Sequence, residues 1–188
     1  MTRKKEKIVR QVNNIELRAR RLDLNGVDNH ESFQFFYDMR SFIGIGLEIR
    51  VDGKRLAPLA AIDLPTLLYS AHEPLHGYGY YEPIFTCGCN EAGCVGISDN
   101  VVVTHEANYI LWSCPYPINF DAKNNPSKRD EVLTFRFRRQ EMLRQQRQMM
   151  DAIRRIARGR EHLCRIPVYE EFVSELIAKG YLFQGGSK

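Results

Sequence analysis

The stretch Phe42-Ile43-Gly44-Ile45-Gly46-Leu47-Glu48-Ile49-Arg50-Val51, followed at once by Asp52-Gly53, constrains the fold more than any other part of the chain. Apolar residues recur at every second position, the period of a half-buried strand. Asp-Gly is a turn pair that sends a strand back beside itself, and Lys54-Arg55-Leu56-Ala57-Pro58 begins the return. Gly44 and Gly46 share one face, where close packing or a bend is expected.

Further strand signals stand on either side. Ile15-Glu16-Leu17-Arg18-Ala19-Arg20 alternates, and residues 32–38 are aromatic-rich and strand-like. Val101-Val102-Val103-Thr104-His105 and Tyr109-Ile110-Leu111-Trp112-Ser113-Cys114 make a hairpin around Glu106-Ala107-Asn108, and Leu133, Phe135 and Phe137 alternate in a last strand. Between them, Asp63 caps a short helix with Pro65 in its first turn. From residue 139 the period changes. Met142, Leu143, Met149, Met150, Ile153, Ile156 and Ala157 fall on one side of a helical wheel, with arginines on the other. Gly159 ends that helix, and a second runs from Pro167 to about Lys179. The predicted fold class is α+β. A mostly antiparallel β-sheet over about 14–138 carries a Cys-rich loop, and two C-terminal helices at about 139–180 cover it. Residues 1–13 form a basic arm outside a single α+β domain of 14–188.

A chain of 188 residues buries a core without help from disulfides. No apolar run approaches the ~18 residues a membrane-spanning helix needs. The charged start, Met1-Thr2-Arg3-Lys4-Lys5-Glu6-Lys7, leads into no apolar export segment. With an odd number of cysteines, five in all, the expectation is a reduced, cytoplasmic protein.

Three of those cysteines crowd one loop, Cys87-Gly88-Cys89-Asn90-Glu91-Ala92-Gly93-Cys94. Zinc takes about four ligands from thiolates and imidazoles in a tetrahedron. Cys87, Cys89 and Cys94 supply three, and either Cys114 or His105 completes the set. Gly88, Gly93 and Gly96 free the backbone to converge them. The competing reading is plain: cysteine is a small, commonly buried side chain. A redox or nucleophilic thiol is a third reading. The segment Tyr81-Glu82-Pro83-Ile84-Phe85-Thr86-Cys87-Gly88-Cys89-Asn90-Glu91-Ala92-Gly93-Cys94-Val95-Gly96-Ile97, leading to a strand that carries Trp112, resembles small uncharacterised bacterial proteins. Those have an aromatic residue ahead of Cys-x-Cys-x4-Cys-x-Gly-Ile. The resemblance covers roughly residues 81–114 and implies no assigned chemistry. In size and lack of catalytic apparatus the chain also resembles, more loosely, the immunity and antitoxin proteins of bacterial toxin systems.

His72-Glu73-Pro74-Leu75-His76 matches the H-E-x-x-H pattern of zinc hydrolases, with Gly79 and Glu82 at the places of the extended pattern. That chemistry needs both histidines on one helical face. Pro74 removes a helical N–H and disfavours α conformation at Glu73. A helix end with surface histidines is the expectation. No hydrolase elbow, phosphate loop or dinucleotide fingerprint occurs.

Net charge is +4, unevenly spread: residues 1–21 hold eight Lys/Arg against two acids, and 136–165 hold ten against three. Either these segments lie against an acidic body and neutralise it, or they face an anionic partner. On the 139–158 helix, Arg144, Arg147, Arg154, Arg155 and Arg158 form the candidate binding surface. Glutamines at 140, 145, 146 and 148 stand among them, which admits groove reading of nucleic acid. The leading expectation is a non-enzymatic protein-binding protein with an acidic protein partner, of immunity or antitoxin type, with a structural zinc as the cofactor expected. The alternative is a zinc hydrolase using His72, Glu73 and His76, and nucleic-acid binding comes third.

Overall fold

The computed structural model describes residues 11–22, 44–57, 61–72, 74–75, 84–86, 101–115 and 132–158. Period-2 segments form strands and the period-3.6 segment forms a helix, as the side-chain patterns require. Strand β1 (Ile15–Leu22) pairs antiparallel with β2 (Gly44–Val51), Ile15 opposite Val51 and Leu22 opposite Gly44. The turn at Asp52 and Gly53 has both residues at positive φ, 49° and 78°. That is the twist a two-residue hairpin needs, and it leads into β3 (Lys54–Arg55). Asp52 also clamps the chain entering β1: its carboxylate accepts from Asn13 Nδ2 at 2.7 Å and from the Asn14 N–H at 2.8 Å.

A two-strand pair, β4 (Ala61–Ile62) with β5 (Phe85–Thr86), leads to α1 (Leu64–Tyr69). Asp63 caps that helix, its Oδ1 accepting from the Thr66 N–H at 2.8 Å. The expected hairpin is present as β6 (Val102–His105) and β7 (Tyr109–Cys114). Its third strand, β8 (Leu133–Arg138), passes straight into α2 (Arg139–Ala157).

Among the described residues the sheet is therefore not one but two three-strand antiparallel sheets, β1-β2-β3 and β6-β7-β8, beside the β4–β5 pair. The cause is visible at the free edge of β1. Asn13 donates its N–H to Arg136 O at 2.8 Å, and its side-chain oxygen accepts from the Arg136 N–H at 2.9 Å, so β8 begins to join β1. Four residues on, Gln145 of α2 accepts from the Leu17 N–H at 3.2 Å. A helix side chain has taken the donor another strand would need, and α2 shields the edge.

The fold is α+β and mostly sheet, with one substantial helix among the described residues. The second helix expected at 167–179 lies outside them, as do the strand expected at 32–38 and most of the basic arm. The core joins both sheets and α2. Trp112, Phe85, Phe137, Ile49, Leu67, Met142 and Met149 are fully buried. Trp112 meets Phe137 edge-to-face at 5.5 Å between ring centroids. The lone tryptophan is thus a core residue. No helix among the described residues is long and apolar enough to cross a membrane.

Candidate functional site

The expected metal ligands fall in two groups. Cys87, Cys89 and Cys94 lie outside the described residues. Cys114 and His105 are both in the β6–β7 hairpin, but at opposite ends. His105 pairs with Ile110, and Cys114 is four residues further along β7, about 13 Å at ~3.3 Å per residue. Thiolate and imidazole ligands stand only ~2.0–2.3 Å from zinc. One ion can therefore take His105 or Cys114 but not both. Cys114 is fully buried at the foot of β7, and that burial pushes its thiol well above the usual range. In this setting it is a neutral, space-filling group. His105 is partly buried, with Nε2 3.0 Å from Ser70 O. Nε2 donating to that carbonyl leaves the lone pair on Nδ1. Among the described residues no three His, Cys, Asp or Glu side chains converge as a metal site would require.

Of the His72–His76 motif, the described residues His72, Pro74 and Leu75 are not helical. Helix α1 stops at Tyr69, and His72 closes a turn, its N–H donating to Tyr69 O at 2.8 Å. By Leu75 the backbone is extended and bridged to Val103, with N–H···O distances of 3.0 and 2.8 Å. Glu73 and His76 lie outside the described residues.

Helix α2 is where sequence and structure meet most closely. Met142, Met149, Met150 and Ile153 are buried as the wheel requires, with Leu143 packed at the margin. Two polar residues join them. Gln145 is tied to β1 as above, and its Nε2 donates to Glu141 Oε1 at 3.0 Å. Gln146 is 3% exposed and donates from Nε2 to Leu67 O at 2.8 Å and Leu68 O at 3.3 Å. Those carbonyls belong to the last turn of α1, whose acceptors have no intrahelical donor. Gln146 thus welds α1 to α2. Neither glutamine is available to a groove; only Gln140 and Gln148 face outward.

The opposite face of α2 projects Arg144, Arg147, Arg155 and Arg158 to solvent, with Arg154 at its border. Arg144 grips Glu141 through Nε at 2.9 Å and Nη2 at 2.5 Å. That hydrogen bond holds the Glu141 carboxyl below the usual carboxylate range and raises the Arg144 guanidinium. Arg154 lies 3.4 Å from Asp151.

Among the described residues, the acids of the strands pair close to their own positions. Glu16 pairs with Arg18 and Glu48 with Arg50, each two residues away on its own strand. Glu106 holds Arg136, whose guanidinium also stacks 3.6 Å over the Tyr109 ring. Basic side chains outnumber acidic ones two to one among the described residues. Exposed cations that the helical wheel does not flag include Arg21 and Arg138, neither with an ion-pair partner among the described residues. The only sequence signal for Arg21 is parity, since it shares a face with Ile15, Leu17 and Ala19.

No protein-family model, no curated protein and no solved structure matches the chain.

Proposed function

We propose that this chain is a non-enzymatic binding protein that presents the arginine face of α2 to an acidic surface of a partner protein, in the manner of an immunity or antitoxin protein. The observation that carries this reading is the division of α2 into two faces with different tasks. One face, Met142, Gln145, Gln146, Met149, Met150 and Ile153, is buried and anchored to β1 and α1. The other holds Arg147, Arg155 and Arg158 in solvent on a helix that cannot turn without breaking those anchors. Guanidinium groups held in place in advance lose less freedom on meeting carboxylates.

Two features favour a protein partner over a phosphate backbone. Asp151 stands in the middle of the exposed face, where a uniform polyanion would meet a like charge and a protein can place a cation. The buried positions of Gln145 and Gln146 also remove half of the groove-reading set.

The test is co-expression with the products of reading frames adjacent to this chain's own. The expected result is a stoichiometric complex that loosens as salt rises from about 50 to 500 mM and does not form with the double variant Arg147→Glu, Arg155→Glu. A complex indifferent to both salt and substitution contradicts the proposal.

A further inference from the structure

The arginines of α2 are not equivalent, and the fold brings one from another element to join some of them. Two ties set the course of β1 relative to α2: Asn13 to Arg136, three residues before α2 begins, and Leu17 to Gln145. Both elements therefore advance from the same end. Beyond the second tie, β1 gains about 13 Å over four residues at ~3.3 Å each, reaching Arg21. Helix α2 gains about 13 Å over nine residues at ~1.5 Å each, reaching Arg154. Arg21 also stands on the face of β1 that carries Ile15 and Leu17, the face whose side chains enter the core with α2. It ends that row as an exposed cation where Ala19 is already half-buried.

Arg21 is thus level with Arg154, Arg155 and Arg158 in the last turns of α2. Arg155 and Arg158, three apart, are neighbours on the helix surface. At the other end of the face Arg144 is held by two hydrogen bonds to Glu141. Arg21, Arg155 and Arg158 have no ion-pair partner among the described residues. Three guanidiniums from two elements, none ion-paired among the described residues, therefore fall at the same level along β1 and α2.

Resting on the binding role proposed above, we infer that recognition centres on this cluster of Arg21, Arg155 and Arg158, and that its ligand is a run of neighbouring carboxylates on an acidic segment of the partner protein. Guanidinium donates in a planar fork that matches a carboxylate two bonds at a time. Three such forks suit successive acidic side chains, whereas Arg144 is already held by Glu141 and Arg154 lies beside Asp151 toward the start of α2. Arg21 makes the cluster depend on the register of β1 as well as on the helix.

The probe is a fluorescein-labelled octaglutamate peptide, followed by anisotropy at about 50 mM salt, with a 12-base-pair duplex as the competing anion. Arg21→Gln, Arg155→Gln and Arg158→Gln are each expected to weaken octaglutamate binding by about three- to fivefold, the scale of an exposed charge contact. Lys54→Gln, which removes an equal charge from the β2–β3 hairpin, is expected to leave it within about 1.5-fold. Thermal unfolding of each variant checks that the fold is intact. If Arg21→Gln binds as wild type while Arg155→Gln and Arg158→Gln are weakened, the cluster is refuted and the α2 face stands. If Lys54→Gln weakens binding as much as Arg155→Gln, binding follows total charge and the cluster is again refuted. Tighter binding of the duplex than of octaglutamate under the same salt overturns the partner class. No binding of octaglutamate by wild type overturns the arginine-face reading itself.

Discussion

Replacing Gln146 by leucine tests whether α2 is anchored as described. The side chain is 3% exposed, and its Nε2 reaches two carbonyls of α1, Leu67 O at 2.8 Å and Leu68 O at 3.3 Å. Leucine fills similar space but donates nothing. Each lost neutral hydrogen bond costs about 0.5–1.5 kcal/mol, more where a buried carbonyl is left without any donor. Here Leu67 O keeps the Ser70 hydroxyl at 2.6 Å, and Leu68 O keeps the Ala71 N–H at 3.4 Å. The desolvation penalty is therefore partial, and the net cost comes to about 1–2 kcal/mol. For a chain of this size that lowers Tm by about 2–8 °C. The reference variant is Gln148→Leu, two residues along on the solvent face, expected within about 0.5 kcal/mol of wild type. Thermal and urea unfolding of both, with the urea slope unchanged, provide the comparison. Equal stability of the two variants would refute the claim that Gln146 is a buried structural tie.

Two further outcomes follow from the same geometry. Because the Arg144 hydrogen bond lowers the folded-state pKa of Glu141, its contribution is in place above the unfolded carboxylate value near ~4.3. That contribution is lost as pH falls through the lowered folded value. The stability difference between wild type and Glu141→Gln should therefore shrink on acidification below that value, as followed by urea unfolding across pH. Cys114, buried with its thiol pushed up, should resist iodoacetamide in the native protein and react on unfolding, as read by peptide mass mapping.

Much of the fold was legible because it rests on local period. The alternation in β1, β2, β7 and β8, the Asp52-Gly53 turn and the Asp63 cap each depend on a few neighbouring residues, and each forms where the pattern places it. What local pattern does not carry is long-range hydrogen bonding. Gln145 and Gln146 read as polar helix positions, yet partners 128 and 79 residues away make them part of the core. The same interaction at Leu17 divides an expected single sheet into two. In the His72–His76 segment, Pro74 argues against a helix, but the bridge from Leu75 to Val103 is set by a strand nearly thirty residues distant. At the candidate site the arginine face of α2 was legible from the wheel. The alignment of Arg21 with it was not, since it depends on how β1 and α2 lie side by side. The roles expected for Cys87, Cys89 and Cys94 concern residues outside the described set.

The central claim is that α2 has a face for holding the fold and a face for meeting an acidic protein. Its most direct test is calorimetric titration of the captured partner against wild type and the variant Arg155→Gln, Arg158→Gln, with Tm measured for both. An affinity loss of at least about tenfold is expected, the product of two exposed charge contacts, with Tm unchanged within about 2 °C. Unchanged affinity, or affinity and Tm falling together, would contradict it.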